Sequence, residues 1–541
     1  MKRNLRSLLL SGDLDAIPVA IAGFFIIQAF CAYGGVGVSP DSVVYISTAQ
    51  HIHDQGVIND FTNAPLMDFP AGYPVFLSIF IFLTGHGVMS FGAVLCGLLF
   101  ALLIFLCGWM MNRFSHRSRW YTLILLVIIA GSPCLLEVYS MIWSETLFLV
   151  LILLFMIGCY RYFQTHSLRW LLFIGLTAGV ACVTRYAGIS LAAMGGLLML
   201  CDSRLRWGRK KIGHIVLFGV LSILFLALNL YRNLHLTQTL TGYREKGITP
   251  LVLNIHDFGS VLCDWLPFLG DRYQAATAIA IFFILLITGI FIYRLVRRTG
   301  FFSCDTIALS YFVVYAGFIL FSATVSRFQE LDSRLLSPLF LSWLWGSTCW
   351  IPGALRLKPG TQSESATPGT HQLKPGTPTP SSPRWKKAAI LLCLAAAICF
   401  FTGEMQTFRE NWDGIHDAGI PGYTENDWRN SETMAFVRDH QDSLRNIPRL
   451  GTLYSDAFEG LWFLTGVRSD LLPHKDNAED IRYMLKEDRF TVIWFDDAVN
   501  TDLIDVDFLK SRKQLIREIH FKDGAIYFFQ TAPPPAQASP N

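Results

Sequence analysis

Long apolar runs recur along this chain, and they constrain its fold more than any other feature. The chain is 52% hydrophobic and only 16% charged, and its apolar runs approach the length of about 20 residues that a helix needs to cross a bilayer. Hydropathy therefore predicts a polytopic α-helical membrane protein with about eleven spans. The predicted spans are residues 16–33, 89–111, 119–136, 143–162, 169–184, 186–201, 212–231, 275–293, 305–324, 334–351 and 387–403. Nothing in this composition indicates a nucleic-acid partner.

The distribution of Lys and Arg predicts the orientation. Lys2, Arg3 and Arg6 precede the first span and keep the N-terminus cytoplasmic. The apolar piece 73–84 is short for a span, and we interpret it as an interfacial or re-entrant helix on the outer side. The basic loops then all become cytoplasmic: residues 113–119, 161–169, 204–211, 294–298 and 356–387. Four regions share the extracytoplasmic side: loop 34–88, the turn 137–145, residues 232–274 and everything after 401.

The sequence predicts four regions along the chain. Residues 1–351 form the transmembrane catalytic region, and 352–386 form a disordered cytoplasmic linker that repeats Leu-Lys-Pro-Gly-Thr. The last span, 387–403, leads into a small extracytoplasmic α/β domain, 404–541. Within it, strands are predicted at 451–455 and 490–495, a hairpin at 514–529, and helices at 431–445 and 477–486. The absence of Asn-x-Ser/Thr sequons favours a bacterial cytoplasmic (inner) membrane.

The first outer loop supplies a candidate catalytic carboxylate. Residues 34–70 contain four aspartates and no Lys or Arg. Ser39-Pro40-Asp41 is typical of a helix start, with Ser39 as N-cap and Pro40 in the first helical position. Asp41 and Tyr45 would then share one face of an interfacial helix. An acid in the first turn also has a simpler explanation, because it complements the positive end of the helix dipole.

Further ionisable residues lie at the predicted outer ends of spans. Glu145 begins the fourth span, and an acid at membrane depth is costly unless it has a function or lies at a helix N-terminus. Arg185 and Arg334 lie where the positive-inside rule does not place them, and a guanidinium suits a lipid phosphate. Snorkelling, or pairing with an acid such as Asp332, would also explain both arginines.

In this order and topology the motifs resemble the GT-C superfamily of multi-span glycosyltransferases. That superfamily includes protein O-mannosyltransferases, the aminoarabinose transferase of lipid A and oligosaccharyltransferases. The resemblance covers residues 16–350 and the layout of an outer C-terminal domain. Four motifs carry it: Asp41-Ser42-x-x-Tyr45, Phe69-Pro70-Ala71-Gly72-Tyr73-Pro74, Glu145 at a span start, and Arg334-Leu335-Leu336-Ser337-Pro338.

The resemblance implies an inverting glycosyltransferase that moves a sugar from a polyprenyl-phosphate carrier to a protein, lipid or glycan acceptor on the outer face. Asp41 matches the loop aspartate that acts as base or positions the acceptor, and Arg334 matches the arginine on the lipid phosphate. Glu145 corresponds more loosely to an acid that binds a metal or supports the acceptor. Arg185 is a further candidate for the phosphate, and Tyr45 and Tyr73 are candidates for stacking on sugar or lipid, although aromatics are common at any membrane interface.

One departure leaves metal dependence open. Many relatives carry two adjacent acids in the first loop, whereas Ser42 follows Asp41 here. A divalent metal ion therefore stays an open cofactor with unknown ligands. His51 and His53 do not share a helix face, which favours plain surface histidines over a metal site.

Two other function classes compete with this prediction. A transporter would be expected to show related halves, and no internal repeat of the span pattern is evident. A polymerase or ligase of surface polysaccharide would use lipid-linked sugars and arginines in a large outer loop, which Arg232, Arg244 and Arg272 could supply.

Overall fold

The structure is a computed structural model that describes residues 14–114, 119–242, 244–266, 269, 272–297, 303–327, 330–342, 384–446, 451–496 and 500–531. The expected linker lies almost wholly outside these residues. Contacts divide the chain into two compact units. The first unit comprises residues 1–30, 65–76 and 90–414, and the second comprises 31–64, 77–89 and 415–541. The second unit thus includes residues of the first loop as well as the C-terminal part.

Helices dominate the chain as far as residue 418. In chain order they are α1 (Ala16–Cys31), α2 (Pro40–Gln55), α3 (Gly72–Thr84), α4 (Val88–Phe114), α5 (Arg119–Gly131), α6 (Pro133–Ser140), α7 (Glu145–Thr165), α8 (Leu168–Thr184), α9 (Ile189–Cys201), α10 (Arg209–Thr237), α11 (Leu251–Trp265), α12 (Ala276–Arg297), α13 (Cys304–Val325), α14 (333–342) and α15 (Arg384–Ala418). Short 3₁₀ turns at Tyr186–Gly188 and Tyr273–Ala275 precede α9 and α12.

Five of the described helices are long and apolar enough to cross a membrane, or six if the bent pair α5 and α6 forms one span. They do not confirm the expected eleven. Four shorter apolar helices fall on other predicted membrane segments: Ala16–Cys31, Gly72–Thr84, Leu168–Thr184 and Tyr186–Cys201. The part of the chain that the structure describes is therefore a multi-pass helical protein, and the count of eleven spans stays a prediction.

Small residues let the membrane helices approach closely. At Gly175 an added Cβ would lie 2.8 Å from Leu221 Cβ, and at Gly179 it would lie 2.6 Å from the Leu221 carbonyl oxygen. Both glycines are on α8 and Leu221 is on α10. Lipid tails are as apolar as the helices, so close van der Waals packing replaces the hydrophobic effect as the force that joins them. The packed helices α7, α8 and α10 form much of the first unit.

A five-stranded sheet forms the centre of the second unit. Its strands are β1 (Thr452–Ser455), β2 (Asp470–Leu471), β3 (Arg489–Phe495), β4 (Gln514–His520) and β5 (Gly524–Gln530). Their order is β2-β1-β3-β5-β4, with β1 parallel to β2 and β3 and the other pairs antiparallel. The accompanying helices are α16 (Asn426–Arg429), α17 (Glu432–Asp439), α18 (Gln441–Asn446), α19 (Phe458–Thr465), α20 (Ala478–Lys486) and α21 (Val506–Arg512).

Side chains that point alternately to the two faces of the sheet pack into two separate apolar cores. On β3, Phe490 and Val492 pack with residues of α20 and α21, whereas Ile493 and Phe495 pack with residues of α17 and α19. Successive strand residues point to opposite faces, so a strand with apolar residues on both faces is covered on both sides. The central strand is therefore enclosed by helices on both faces.

The segment before α2 is hydrogen-bonded to the start of the C-terminal part within this second unit. The backbone N–H of Tyr423 donates to the Val38 carbonyl at 2.8 Å, and the Thr424 hydroxyl donates to the Val36 carbonyl at 3.3 Å. The Arg429 guanidinium donates to the Gly34 carbonyl. These bonds fix the chain directly before Asp41.

Candidate functional site

Glu145 is the buried centre of a charged cluster in the first unit. It is the first residue of α7, and only 1% of its surface is exposed. A lone carboxylate in such a position would pay a large desolvation cost. Its neighbours on the chain are polar, and the Ser144 hydroxyl donates to Glu145 Oε2 at 3.3 Å. A charge buried this deeply needs cationic partners.

Arg334 and Arg185 are those partners. Arg334 Nε lies 2.6 Å from Glu145 Oε1, and Arg185 Nη1 pairs with the same oxygen. Arg185 Nη1 also donates to the Ser144 hydroxyl at 3.1 Å. Their side chains are 14% and 16% exposed. We call Arg185, Glu145 and Arg334 the arginine cluster.

An aromatic ring and two further acids complete its surroundings. The guanidinium carbon of Arg334 lies 4.1 Å from the centroid of the Trp143 ring, which is within the range of a cation–π contact. Asp332 and Glu137 act electrostatically on this group as well. Asp332 also accepts a hydrogen bond of 2.8 Å from the backbone N–H of Leu335 and so caps α14. The guanidinium of Arg334 is therefore fixed in plane and position before any ligand binds.

The segment that leads into α3 lies beside the arginine cluster in the chain's fold. A Cβ added at Gly72 would lie 2.4 Å from the Val183 carbonyl oxygen and 3.0 Å from the backbone nitrogen of Thr184, the residue before Arg185. The Tyr73 hydroxyl lies 3.4 Å from the Thr146 hydroxyl, next to Glu145. Tyr73 is only 1% exposed. The motif Phe69–Pro74 thus packs onto the residues that flank Arg185 and Glu145.

Two arginines and a tyrosine bind the backbone of the preceding residues. Arg232 donates to the Leu66 carbonyl at 2.9 Å, Arg244 to the Asp68 carbonyl at 2.7 Å, and the Tyr186 hydroxyl to the Met67 carbonyl at 2.9 Å. Each of these donors provides a backbone carbonyl of this segment with a hydrogen-bond partner. Arg232 and Arg244 therefore shape the segment 65–71, which is a structural use of the outer-loop arginines. Arg272, the third of them, precedes the 3₁₀ turn before α12.

Asp41 and Tyr45 belong to the second unit, on α2. Ser39 caps this helix through the backbone N–H of Ser42, the Ser42 hydroxyl accepts from the Ser39 N–H at 3.1 Å, and Pro40 is the first helical residue. The helix start expected at Ser39-Pro40 is confirmed. Asp41 is partly exposed in the first turn, whereas Tyr45 is 2% exposed. Stacking of Tyr45 and Tyr73 on a ligand stays a prediction, since both rings are buried here.

Sequence reasoning missed an acid that the structure places near Asp41. Glu459 lies in the first turn of α19, which packs against α2. The Asp41 charge acts on Glu459, and the Glu459 carboxyl shares a hydrogen bond with the Tyr423 hydroxyl. One sequence feature could have identified Glu459: it is the only charged residue of the apolar helix Phe458–Thr465.

Metal ligation was left open by the sequence. Among the described residues, no group of three or more His, Cys, Asp and Glu side chains could hold a metal ion. His51 Nδ1 lies 2.9 Å from the Asn59 carbonyl oxygen, and the His53 ring lies against Phe82. Both histidines therefore have ordinary partners within their own unit.

A family model and solved structures show what the chain resembles. Residues 68–230 match the family of dolichyl-phosphate-mannose-protein mannosyltransferases. This match includes Tyr73, Glu145 and Arg185 and confirms the GT-C resemblance over that range. The structure of ArnT from Cupriavidus metallidurans bound to undecaprenyl phosphate is 12% identical with a TM-score of 0.49, covering 95% of this chain and 97% of that one. The apo structure of the same protein gives 12% and 0.45 with the same coverage. A search of curated proteins found no match.

Proposed function

We propose that this chain, whose residues 68–230 match the mannosyltransferase family, is a membrane glycosyltransferase that uses a polyprenyl-phosphate-linked sugar. The observation that carries the proposal is the arginine cluster, in which one buried carboxylate holds two guanidinium groups side by side. Sugar transfer from a lipid phosphate builds negative charge on the departing phosphate. Fixed cations at that point stabilise the transition state more than the ground state.

On the donor side, Arg334 and Arg185 bind the lipid phosphate. Both guanidiniums are permanently charged and planar, and they match the geometry of phosphate oxygens. Glu145 keeps their side chains in place, so binding an anion costs less side-chain entropy than it would with two mobile arginines. In this assignment Glu145 positions the arginines, and a direct role with metal or acceptor is not needed to explain its burial.

On the acceptor side, Asp41 takes the proton of the nucleophile. The acceptor oxygen attacks the anomeric carbon, the new carbon–oxygen bond forms, and the bond to the phosphate oxygen breaks. Its electron pair stays on the phosphate, and the acceptor proton moves to the Asp41 carboxylate. A single displacement of this kind inverts the anomeric configuration.

Location follows from the charge pattern. Basic loops such as 161–169 and 204–211 favour the cytoplasmic side of a bacterial inner membrane. The reaction then takes place on the outer face, which carries the first loop and the C-terminal part. The polymerase or ligase alternative loses support because Arg232 and Arg244 are engaged with backbone carbonyls. Among the residues that the structure describes, no observation favours the transporter alternative.

The test uses the full-length protein in lipid nanodiscs with radiolabelled polyprenyl-phosphate sugars and membrane extract as acceptor. Wild type is expected to transfer one sugar, and Arg334→Ala to lose donor binding. Arg294→Ala is the matched control, because Arg294 also pairs with a buried acid, Asp305, at 2.5 Å but lies at a predicted cytoplasmic end. Absence of donor binding by wild type, or an equal loss in both variants, contradicts the proposal.

A further inference from the structure

Two loops of the first unit meet at Asp202. His166, which follows α7, lies with its Nε2 atom 2.6 Å from Asp202 Oδ2, and Asp202 directly follows α9. Arg204 donates to Asp202 Oδ1 from its backbone N–H at 2.9 Å and from its Nε at 3.3 Å. The Asp202 side chain is only 3% exposed. The loop after α7 and the loop before α10 are therefore joined by one inward-facing carboxylate.

Lys211 fixes the second loop from the start of α10. Its ammonium donates to the carbonyls of Leu200 at 2.9 Å and of Asp202 at 2.8 Å, and only 2% of the residue is exposed. The same ammonium lies 4.3 Å from the centroid of the Trp207 ring, which is within the range of a cation–π contact. Trp207 itself is 68% exposed. The loop therefore has a fixed backbone and holds an indole ring at the surface of the protein.

The exposed charged side chains of these two loops are all basic. Asp202 is the only acid between Glu145 and Glu245, and it is buried and paired. The exposed cations are Arg169, Arg204, Arg206, Arg209 and Lys210. We call these five residues, together with Trp207, the basic surface. Because the nearest acid in the chain faces inward, the positive charge of the basic surface is not neutralised from within the loops.

The basic surface lies at the end of α7 that is remote from the arginine cluster. Helix α7 begins at Glu145 and has 21 residues, which corresponds to about 30 Å at a rise of about 1.5 Å per residue. That length matches the hydrocarbon thickness of a bilayer. The arginine cluster and the basic surface therefore belong to opposite membrane interfaces, and lipid headgroups are the anions next to each of them.

We propose that the basic surface binds the headgroups of anionic phospholipids in the leaflet opposite the arginine cluster. Five exposed cations complement a leaflet of net negative charge, and guanidinium groups match the geometry of phosphate oxygens. The exposed indole of Trp207 suits the headgroup region, where tryptophan is enriched. Since Asp202 joins the two loops, their cations form one fixed binding surface. The inference does not depend on the proposed function.

The experiment measures binding of fluorescent phosphatidylglycerol to the full-length protein in neutral detergent micelles, with fluorescent phosphatidylcholine as the lipid without net charge. Wild type is expected to bind phosphatidylglycerol at least about tenfold more tightly, because each Lys or Arg near an anionic surface contributes roughly a factor of five. The triple variant Arg206→Gln, Arg209→Gln and Lys210→Gln should lose this preference. It keeps Arg204 and Asp202, so its unfolding temperature should equal that of wild type.

The matched control is the triple variant Arg482→Gln, Lys486→Gln and Arg489→Gln. These three cations are also exposed, and they lie beside an exposed aromatic ring, Tyr483, which is 73% exposed. Their segment, residues 478–489, also contains four acids. The control removes the same charge from the protein and should bind phosphatidylglycerol as tightly as wild type does.

Three outcomes of the binding measurement overturn the inference. The first is equal affinity of wild type for the two lipids, and the second is an equal loss of affinity in the control variant. The third is tighter binding of a soluble polyanion, heparin, than of phosphatidylglycerol, because it would assign the basic surface to a soluble partner.

A second measurement does not require the triple variant to fold. Phosphatidylglycerol with brominated acyl chains should quench a larger fraction of the tryptophan fluorescence than brominated phosphatidylcholine does, because it brings lipid onto Trp207. Trp207→Phe should abolish this difference between the two lipids. A difference that persists in Trp207→Phe overturns the inference.

Discussion

Arg334 and Glu145 are 189 residues apart in the chain, yet Arg334 Nε and Glu145 Oε1 lie 2.6 Å apart. The same guanidinium lies against the Trp143 ring, two residues before Glu145. The start of α7 and the start of α14 are therefore held together by one side chain. This relationship explains why an arginine stands at a predicted outer helix end, where charge distribution alone does not place it.

Removing the carboxylate of this pair should be costly. Glu145→Gln leaves Arg185 and Arg334 facing each other without their shared acid, and breaking a buried ion pair costs about 3–5 kcal/mol. We expect a lower temperature of thermal unfolding and weaker binding of a polyprenyl-phosphate sugar. Asp305→Asn, which breaks the Arg294 pair, should lower the unfolding temperature without weakening donor binding. Unchanged donor binding in Glu145→Gln would contradict the positioning role.

Asp41→Asn should abolish transfer but not donor binding. Loss of a general base lowers the rate by about 10²–10⁴-fold, while the donor is held by other residues. The measurement is the initial rate of sugar transfer together with donor affinity. Asp54→Asn serves as control, because Asp54 is an acid at the other end of the same helix that accepts a hydrogen bond from Gln50. A rate near wild type for Asp41→Asn would remove it from the mechanism.

Tyr73→Phe distinguishes packing from ligand contact. The Tyr73 hydroxyl lies 3.4 Å from the Thr146 hydroxyl in a buried position, so its removal should cost at most about 1 kcal/mol of stability. We expect donor affinity and transfer rate within about twofold of wild type, corresponding to less than 0.5 kcal/mol. A tenfold weaker donor affinity with an unchanged unfolding temperature would show instead that the Tyr73 hydroxyl contacts substrate.

Gly72→Ala should lower stability and donor binding more than the addition of one methyl group suggests. The new methyl would lie 2.4 Å from the Val183 carbonyl oxygen, which belongs to the backbone of α8 and cannot rotate away. Overpacking of this kind costs about 1–3 kcal/mol, and here it displaces residues next to Arg185. Lower thermal stability together with weaker donor binding is expected. Gly213→Ala, where an added Cβ meets nothing within 4 Å, should change neither.

Stability of the second unit should depend on pH through two acids, the buried Asp456 and the half-buried Glu459. Burial raises the pKa of Asp456 to about 7 and that of Glu459 to about 8, from ordinary values of 3.8 and 4.5. In the unfolded chain both carboxyls ionise at a lower pH than in the folded protein. Their contribution to the free energy of unfolding is therefore fully present below about pH 4 and is lost as the pH rises to about 8. The unfolding temperature of Asp456→Asn should therefore rise relative to that of wild type between pH 5 and pH 8. A constant difference over that range would show that Asp456 is already ionised in the folded protein.

Local features were predictable from sequence, and long-range pairs were not. The cap at Ser39 and Pro40 depends on hydrogen bonds within four residues, and strands β1 and β3 lie where runs of β-branched and aromatic residues predict them. The partner of Glu145 depends on tertiary packing, and from the sequence alone the acid suggested as a partner for Arg334 was Asp332. Glu459 was missed because a single acid in an apolar helix carries no signal without knowledge of what the helix faces.

The hydrogen bond from Thr424 to the Val36 carbonyl spans 388 residues. At roughly 5–20 residues per second, synthesis of that interval takes on the order of 20–80 s. The loop around Asp41 is thus made early and meets its hydrogen-bonding partners only near the end of translation. A ribosome that stops before Thr424 leaves a chain with every membrane helix of the first unit and an unsupported Asp41.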